Sequence, residues 1–503
     1  MAFLQFDSTL VLCLVFVVSC LVVVTSFWSG RKAGAVRALP PSPRALPIIG
    51  NLHQLGQGFH HRKLQALARR HGPLFLLRLG SVPVIVVSSA SMAEAVLKTQ
   101  DHVFCSRPQP YTARGTLYDC RSVAFSPYGE RWRQVRRIAV VHLLSAKRVD
   151  SFRGLREQAV ASFVERIRGW SDRESRVNVT ELIISLTNTV ISTAAFGDKL
   201  GGVEPGRLSD MMEEIGGLLS TIAVSDVFPR LRWVDWATGL DAKMKRTAAK
   251  LDSILESALG EHESTGGNDD EARDLLDDLL LIVRDGDQGY KLDRNDAKAL
   301  ILDIFIAGTD TTSKTIEWTL AELVKNPGEM EKVQAEVRQV AGVQGGVVEE
   351  DLEKMSLLKA AMKEALRLHA PVPLLVPRES IQDTQLHGYH IPAGTRVMIN
   401  AWAIGRDDES WEHAEEFRPD RFLHEAVDYN GQDPRFIPFG AGRRGCPGIA
   451  FGTRLAEFTL ANMMYHFEWK LTHDQDPESF EVTESGGLLP GLKSPLILDA
   501  KPM

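Results

Sequence analysis

The segment from Phe436 to Gly448, read Phe-Ile-Pro-Phe-Gly-Ala-Gly-Arg-Arg-Gly-Cys-Pro-Gly, constrains this chain more than any other. Gly440, Gly442, Gly445 and Gly448 allow tight left-handed turns and let the backbone approach a neighbour closely. Cys446 stands just before an amphipathic pattern, Ile449–His466, that predicts a helix. A thiol at a helix N-terminus meets free N–H groups and the positive end of the dipole, which favours the thiolate. Gly440-Ala441-Gly442-Arg443-Arg444-Gly445 also satisfies G-x-G-x-x-G. A dinucleotide site would need a strand in front, which Pro438 breaks, and a slim turn where Arg443-Arg444 is bulky. A thiolate on such a loop, with no second ligand nearby in sequence, suits one axial bond to a haem iron.

Composition sets the outer limits. The chain has 503 residues, 44% of them hydrophobic and 24% charged, which excludes a disordered or fibrous protein. Its 58 Lys and Arg against 65 Asp and Glu give a net charge of −7, which argues against nucleic acid as the main partner. The cysteines Cys13, Cys20, Cys105, Cys120 and Cys446 are odd in number and lack zinc spacing, so a reducing compartment is expected. No repeat and no interdomain linker stand out.

Residues 1–30 predict a transmembrane anchor. No charge lies between Asp7 and Arg31, and Leu10–Trp28 as a helix is about 30 Å long, enough to cross a bilayer core. The start carries Asp7 and no basic residue, unlike a cleaved signal peptide. Arg31, Lys32, Arg37 and Arg44 follow the span and place the remainder in the cytosol. Residues 31–50 form a basic, proline-rich hinge with Pro40-Pro41-Ser42-Pro43 as a stiff spacer. Residues 51–503 are then the catalytic domain. The sequon at Asn178-Val179-Thr180 is expected to be unmodified on the cytosolic side.

Periodicity predicts a single, mainly α domain with small β-sheets, an α+β fold. Leu74–Leu79 and Val82–Val87, split by Gly80-Ser81, read as a β-hairpin. Helices are expected at Ala90–Thr99, Gly129–Val140, Val177–Ala195, Leu240–Glu261, Asp296–Lys325, Met330–Val340 and Leu357–His369. Surface loops are expected at Glu261–Arg273 and Gly342–Gly346, and short strands around Thr384–Ile391 and Val397–Ala401. From Trp402 to Phe436 no period is visible.

Further motifs join the Cys446 loop in order: Trp132…Arg136, Ala307-Gly308-Thr309-Asp310-Thr311-Thr312, Glu364-Ala365-Leu366-Arg367 and Phe417-Arg418-Pro419-Asp420-Arg421-Phe422. Together with Phe439…Gly442…Arg444…Cys446…Gly448 they resemble the signatures of the cytochrome P450 family over nearly the whole chain. The surrounding segments look like the A-type microsomal enzymes of plants. Asp420 departs from the Glu more usual in the fourth motif, which touches the loop rather than the chemistry.

Each motif also has its own physics. Gly-Thr-Asp-Thr-Thr inside a long helix is a poor run of helix formers, so a bend or opening is expected there. Ala307-Gly308 leaves room for a flat ligand and dioxygen, and a hydroxyl plus an acid on that face can relay protons. Glu364 and Arg367 are i, i+3 neighbours on one helix. Trp132, Arg136, Arg378 and Arg444 offer an indole N–H and planar guanidinium forks suited to haem carboxylates. Arg131, Arg133, Arg137, Lys147 and Arg148 make one region basic. Asp285–Tyr290 only faintly resembles a calcium loop, lacking the required Gly and Glu. No spacing supports a hydrolase triad.

The resemblance implies a haem b monooxygenase in which Cys446 ligates iron, Thr311 and Asp310 guide protons, and Phe439 packs beside the loop. It also implies a Glu364–Arg367–Arg421 network holding that loop, and NADPH-cytochrome P450 reductase docking on the basic region. The expected locale is the endoplasmic reticulum membrane, single-pass, with the catalytic domain cytosolic. The substrate is expected to be a small apolar plant metabolite (terpenoid, indole-derived or phenolic) lined by Arg107–Phe125, Leu302–Thr312, Pro371–Val376 and Gly486–Leu489. A haem-thiolate isomerase or dehydratase would not need the Thr311–Asp310 pair. A non-enzymatic haem or lipid binder leaves that pair unexplained.

Overall fold

The structure is a computed structural model that describes residues 38–503 except 57, 175, 198–204, 266–272, 288, 343–344, 473–479 and 481. The expected anchor at 1–30 and the first part of the hinge lie outside the described residues. The described part of the hinge is no free spacer. Pro41 accepts the N–H of Leu76 at 2.8 Å, and Pro43 accepts the Asn51 amide at 3.3 Å, tying it to the globule.

Helices dominate: α1 (Glu130–Ile138), α2 (Arg153–Glu174), α3 (Val179–Phe196), α4 (Leu240–Thr265), α5 (Leu275–Asp285), α6 (Arg294–Lys325), α7 (Pro327–Ala341), α8 (Ser356–Leu368) and α9 (Ile449–His466). Among the described residues the strands are β1 (Leu74–Leu79), β2 (Val82–Val87), β3 (Arg176–Asn178), β4 (Arg378–Glu379), β5 (Thr384–Leu386), β6 (Tyr389–Ile391), β7 (Arg396–Ile399), β8 (Phe467–Leu471) and β9 (Ile497–Pro502). They form a β1-β2-β7-β4 sheet, a β3-β9-β8 sheet and a β5-β6 hairpin. In the first sheet β2 and β7 are parallel and the other pairs antiparallel.

The central element is α6. Asp293 accepts the N–H of Asp296 while the Asp296 carboxylate accepts the N–H of Asp293, a reciprocal cap that fixes where the helix starts. It packs most extensively on α3 and also on α9, α8 and α5. α3 is the one described helix long and apolar enough to cross a membrane. Its Val190, Ile191, Ala194 and Ala195 are buried in the main core, so its apolarity is that of a core helix.

Several boundaries differ from the sequence expectation for visible reasons. α3 begins at Val179 because residues 176–178 are drawn into a strand against β9, and Asn178 then caps the helix by accepting the N–H of Glu181. α4 continues to Thr265, into the stretch expected to be loop. The pattern at 90–99 is α-helical to Glu94 and widens into a π turn at Ala95–Thr99; that at 129–140 does the same at Ala139–Leu143. α2 escapes a periodicity reading because Arg156 interrupts its apolar face. In the fold that guanidinium is buried and forked on Glu349, with Nη2 to Oε2 at 2.9 Å.

Candidate active site

The Cys446 loop is shaped by its glycines. Gly442 has φ +67°, and a Cβ there would come within 2.1 Å of the Leu97 carbonyl oxygen, so no side chain fits. The Cys446 N–H donates to the Phe439 carbonyl at 2.9 Å, closing the turn. The Cys446 Sγ faces an internal cavity of about 280 Å³ and accepts the N–H of Gly448 at 3.3 Å, at the threshold of α9. Its surface is open to that cavity, and desolvation among the surrounding protein atoms pushes the thiol up, against the opposing pull of the Gly448 N–H and the Arg136 guanidinium. The helix end alone therefore does not make the thiolate; a bound metal cation would.

The facing wall is α6. Ala307, Gly308 and Thr311 line the cavity there, with Ile191 and Ala194 of α3 beside them. Gly308 lets α3 pack closely: a Cβ would sit 2.9 Å from Ile191 Cδ1, and the Ile191 side chain would have to shift. The expected opening of the helix does not occur; α6 is continuous through 307–312. Hydroxyls bond its carbonyls instead, Thr311 Oγ1 to Ala307 at 2.5 Å and Thr315 Oγ1 to Thr311 at 2.8 Å. Asp310 is half-buried and is not among the residues lining the cavity.

Four buried or part-buried arginines border the same cavity: Arg107, Arg136, Arg378 and Arg444. Arg444 donates to the carbonyls of Cys105, Val123 and Ser126 and lies 3.9 Å over the Trp132 ring. Trp132 itself does not line the cavity; its indole N–H goes to Val123 at 3.1 Å. Arg136 donates to Gly445 at 2.6 Å, and Arg378 to Asp101 at 2.7 Å and Ala441 at 2.6 Å. Burial, then mutual repulsion, lowers Arg107 well below its usual range; burial brings Arg444 down to about 9. Among the described residues Asp101 is the carboxylate bonded to this group, and it is shared between Arg378 and Arg443. Crowded, under-neutralised guanidiniums beside a free thiol fit a planar dianion with a metal centre, the chemistry of haem b.

Glu364, Arg367 and Arg421 meet in one hydrogen-bonded network. Glu364 and Arg367 side chains are both 0% exposed and meet in a fork at 2.7 and 2.8 Å. Glu364 also accepts Arg421 Nε at 3.0 Å and the Arg418 N–H at 2.8 Å. Arg367 Nη1 bonds the carbonyls of Gly405 and Ala414, at 2.5 and 2.6 Å. The link to the Cys446 loop is aromatic. Arg367 and Arg421 lie over Trp411, which touches Phe422; Phe422 touches Phe436, and Tyr429 bridges Phe436 and Phe439. Phe439 lines the cavity. Asp420 makes an exposed pair with Arg418 at 3.5 Å and stays outside this network.

The basic region is less basic than its sequence. Arg131 pairs with Asp296, Arg137 with Asp287 at 2.8 Å and Arg148 with Asp278 at 3.0 Å. Arg133 and Lys147 are exposed. Gly486–Leu489 contributes nothing to the cavity wall, whereas Val123, Ala124, Pro371, Val372, Leu375 and Val376 do. Sequence reasoning placed Arg107 on the pocket wall, as found, without its bonds to Ala124, Val376 and Pro377, and it missed Asp101. No local pattern marks either one.

Comparison with known proteins agrees with this geometry. The cytochrome P450 family model matches residues 40–496. Cytochrome P450 71A1 of Persea americana is 50% identical over 90% of this chain and 91% of its own length. Norfluorocurarine oxidase of a Strychnos species is 44% identical over 92% of each chain. A solved zebrafish cytochrome P450 with abiraterone superimposes with a TM-score of 0.75 at 25% identity, covering 88% of this chain and 99% of that one. A cysteine loop, a glycine-bearing helix and a cationic rim around one cavity thus meet a family match across the length of the domain, and the chain belongs to the cytochrome P450 family of haem b-dependent monooxygenases.

Proposed function

We propose that Cys446 is the axial ligand of haem b, and that the protein inserts one oxygen atom from dioxygen into a small apolar plant metabolite. The observation that carries the reading is an unpaired thiol facing Ala307, Gly308 and Thr311 across a cavity bordered by four arginines. When bound, haem supplies oxygen activation with electrons delivered from NADPH through a reductase. Arg136, Arg378, Arg444 and Arg107, which border the cavity, would neutralise its carboxylates, and Trp132 stacks on Arg444. The Thr311 hydroxyl holds a proton at Oγ1 on the cavity wall. Asp310, one residue away and half-buried, exchanges protons with that wall from the solvent side. Apolar side chains such as Ile304, Val372 and Phe439 exclude water and set the substrate class.

Reductase docking falls to Arg133 and Lys147, because Arg131, Arg137 and Arg148 are already neutralised. Membrane attachment on the cytosolic face of the endoplasmic reticulum is supported by a cluster of exposed apolar side chains. Trp236 and Trp233 are 72% and 57% exposed, and Leu46, Ile48 and Ile49 are exposed nearby. The β1–β2 turn bonds Ile49 and the segment that precedes the two tryptophans, with Gly80 N–H to Ile49 at 3.2 Å and Ser81 N–H to Val227 at 2.9 Å. The sequon at Asn178 then faces the cytosol.

The test is the reduced carbon-monoxide difference spectrum. The wild-type protein should show the thiolate-type Soret band, and Cys446→Ser should lose it. An intact band in the variant would reject the ligand assignment.

A further inference from the structure

Asp101 stands where the cationic rim of the cavity meets the cysteine loop. Its side chain is 7% exposed. Oδ1 accepts Arg378 Nη1 at 2.7 Å, and Oδ2 accepts the Arg443 N–H at 3.1 Å and Arg443 Nη1 at 2.9 Å. The two arginines are not equivalent. Arg378 is buried and borders the cavity, whereas the Arg443 side chain is 49% exposed and is not among the lining residues. One carboxylate therefore separates an inner guanidinium from an outer one. Arg378 also donates Nη2 to Ala441 at 2.6 Å. Those two bonds use two of its five N–H groups and hold its planar fork against the cavity wall.

The neighbouring groups make this single negative charge count. Arg107, Arg136 and Arg444 border the same cavity, and their bonds run to carbonyl oxygens. A carbonyl satisfies a donor without cancelling its charge. Asp303, also on the cavity wall, accepts the Ala124 N–H at 2.9 Å and pairs with none of the four arginines. Burial lowers Arg378 and the Asp101 carboxylate opposes that; the same carboxylate holds Arg443 up. Charges in such an interior are weakly screened, so each one reaches further than it would in water.

We infer that Asp101 is a positioning residue that sets the haem reduction potential, by aiming Arg378 at the haem carboxylates and offsetting part of the positive field of the four arginines. This rests on the reading above that Cys446 holds haem b in this cavity. Reduction adds one electron to the iron, so nearby positive charge favours the ferrous form and a carboxylate opposes it. Arg443 acts in the opposite sense, because it pairs with Asp101 from the solvent side and weakens the carboxylate's effect on the interior. Both side chains hold the same turn of the loop, yet they move the potential in opposite directions.

The test is a spectroelectrochemical titration of the haem-loaded, full-length protein at pH 7.4, with dithionite as reductant and the Soret band as readout. At the wild-type midpoint potential, Asp101→Asn should raise the ferrous-to-ferric ratio at least threefold, ~28 mV for a one-electron couple at 59 mV per tenfold. Arg443→Gln, which keeps the backbone N–H bond to Asp101, should lower the ratio at least twofold. Shifts of one sign in the two variants are what a loosened turn would give, and they overturn the inference, as does an unchanged ratio in either variant. Should Asp101→Asn retain no haem, Arg443→Gln decides alone: a lowered ratio supports the inference, and an unchanged or raised one overturns it. Failure in a protein that keeps the thiolate-type carbon-monoxide band removes only this inference. Absence of that band in the wild type removes the haem-thiolate reading and this inference with it.

Discussion

Removing the carboxylate charge of Glu364 should destabilise the protein more than any other conservative substitution in the buried Glu364–Arg367–Arg421 network. Four donors converge on Glu364: Arg367 Nε and Nη2, Arg421 Nε and the Arg418 N–H. In Glu364→Gln a neutral amide oxygen takes the Oε1 place, where three of the donors converge, and its NH₂ meets Arg367 Nε donor to donor. The Arg367 guanidinium, 0% exposed, then loses its counter-ion, a defect that costs ~3–5 kcal/mol. At ~2 cal/mol/K per residue, a domain of this size has an unfolding entropy near ~1 kcal/mol/K, so the midpoint should fall by ~3–5 °C. Scanning calorimetry at matched scan rates reads the shift. The aromatic relay from Trp411 to Phe439 predicts that the thiolate-type carbon-monoxide band decays faster on warming as well. Arg421→Met should cost less, about 1–2 kcal/mol, because Arg421 makes one bond to Glu364 and its other partners are carbonyls near the surface. A Glu364→Gln midpoint within ~1 °C of wild type, or an Arg421→Met loss equal to that of Glu364→Gln, would refute the reasoning.

Other consequences follow from individual contacts. Gly442→Ala would drive a Cβ to 2.1 Å from Leu97 O and 2.8 Å from Asp101 Oδ1, so haem content per protein should drop severely. Gly440→Ala, equally left-handed at φ +68° but with its nearest neighbour at 3.9 Å, should lose only ~1 kcal/mol, read as the thermal midpoint. Glu457 is buried on α9 and pushed up to about 7 by burial. An acid raised in the folded state binds more protons folded than unfolded, so its stabilising share is full below the ordinary carboxylate range and is lost as pH rises through about 7. Glu457→Gln should therefore be more stable than wild type at pH 8, by at most ~3 kcal/mol. The gain should vanish toward pH 4, and midpoints that stay parallel across that range would contradict it.

Where chemistry is written locally, the sequence was legible. The Cys446 loop and the Glu364/Arg367 spacing carry their geometry within one turn or one helix, because glycine φ preferences and i, i+3 spacing are short-range effects, whereas the opening expected at Ala307–Thr312 is absent from a continuous helix. Asp293, Asn178 and Asp274 cap their helices through side chains three residues from their targets. The first hairpin has the bounds expected from two apolar runs split by Gly80-Ser81.

What only the tertiary structure decided is where charges end. Arg131, Arg137 and Arg148 read as one basic face, and the fold places Asp296, Asp287 and Asp278 against them from more than a hundred residues away. Asp101 reaches Arg378 and Arg443, and Asp303 meets Ala124 under the same distance. The β3-β9-β8 sheet joins residues 176–178 to 497–502. Periodicity records which side of an element is apolar, a property of neighbouring residues. Ion pairing and cavity lining depend on contacts between distant segments, which form only once the helices have packed. Residue types thus determined the cofactor chemistry of this protein, and packing alone determined which of its charges remain unanswered.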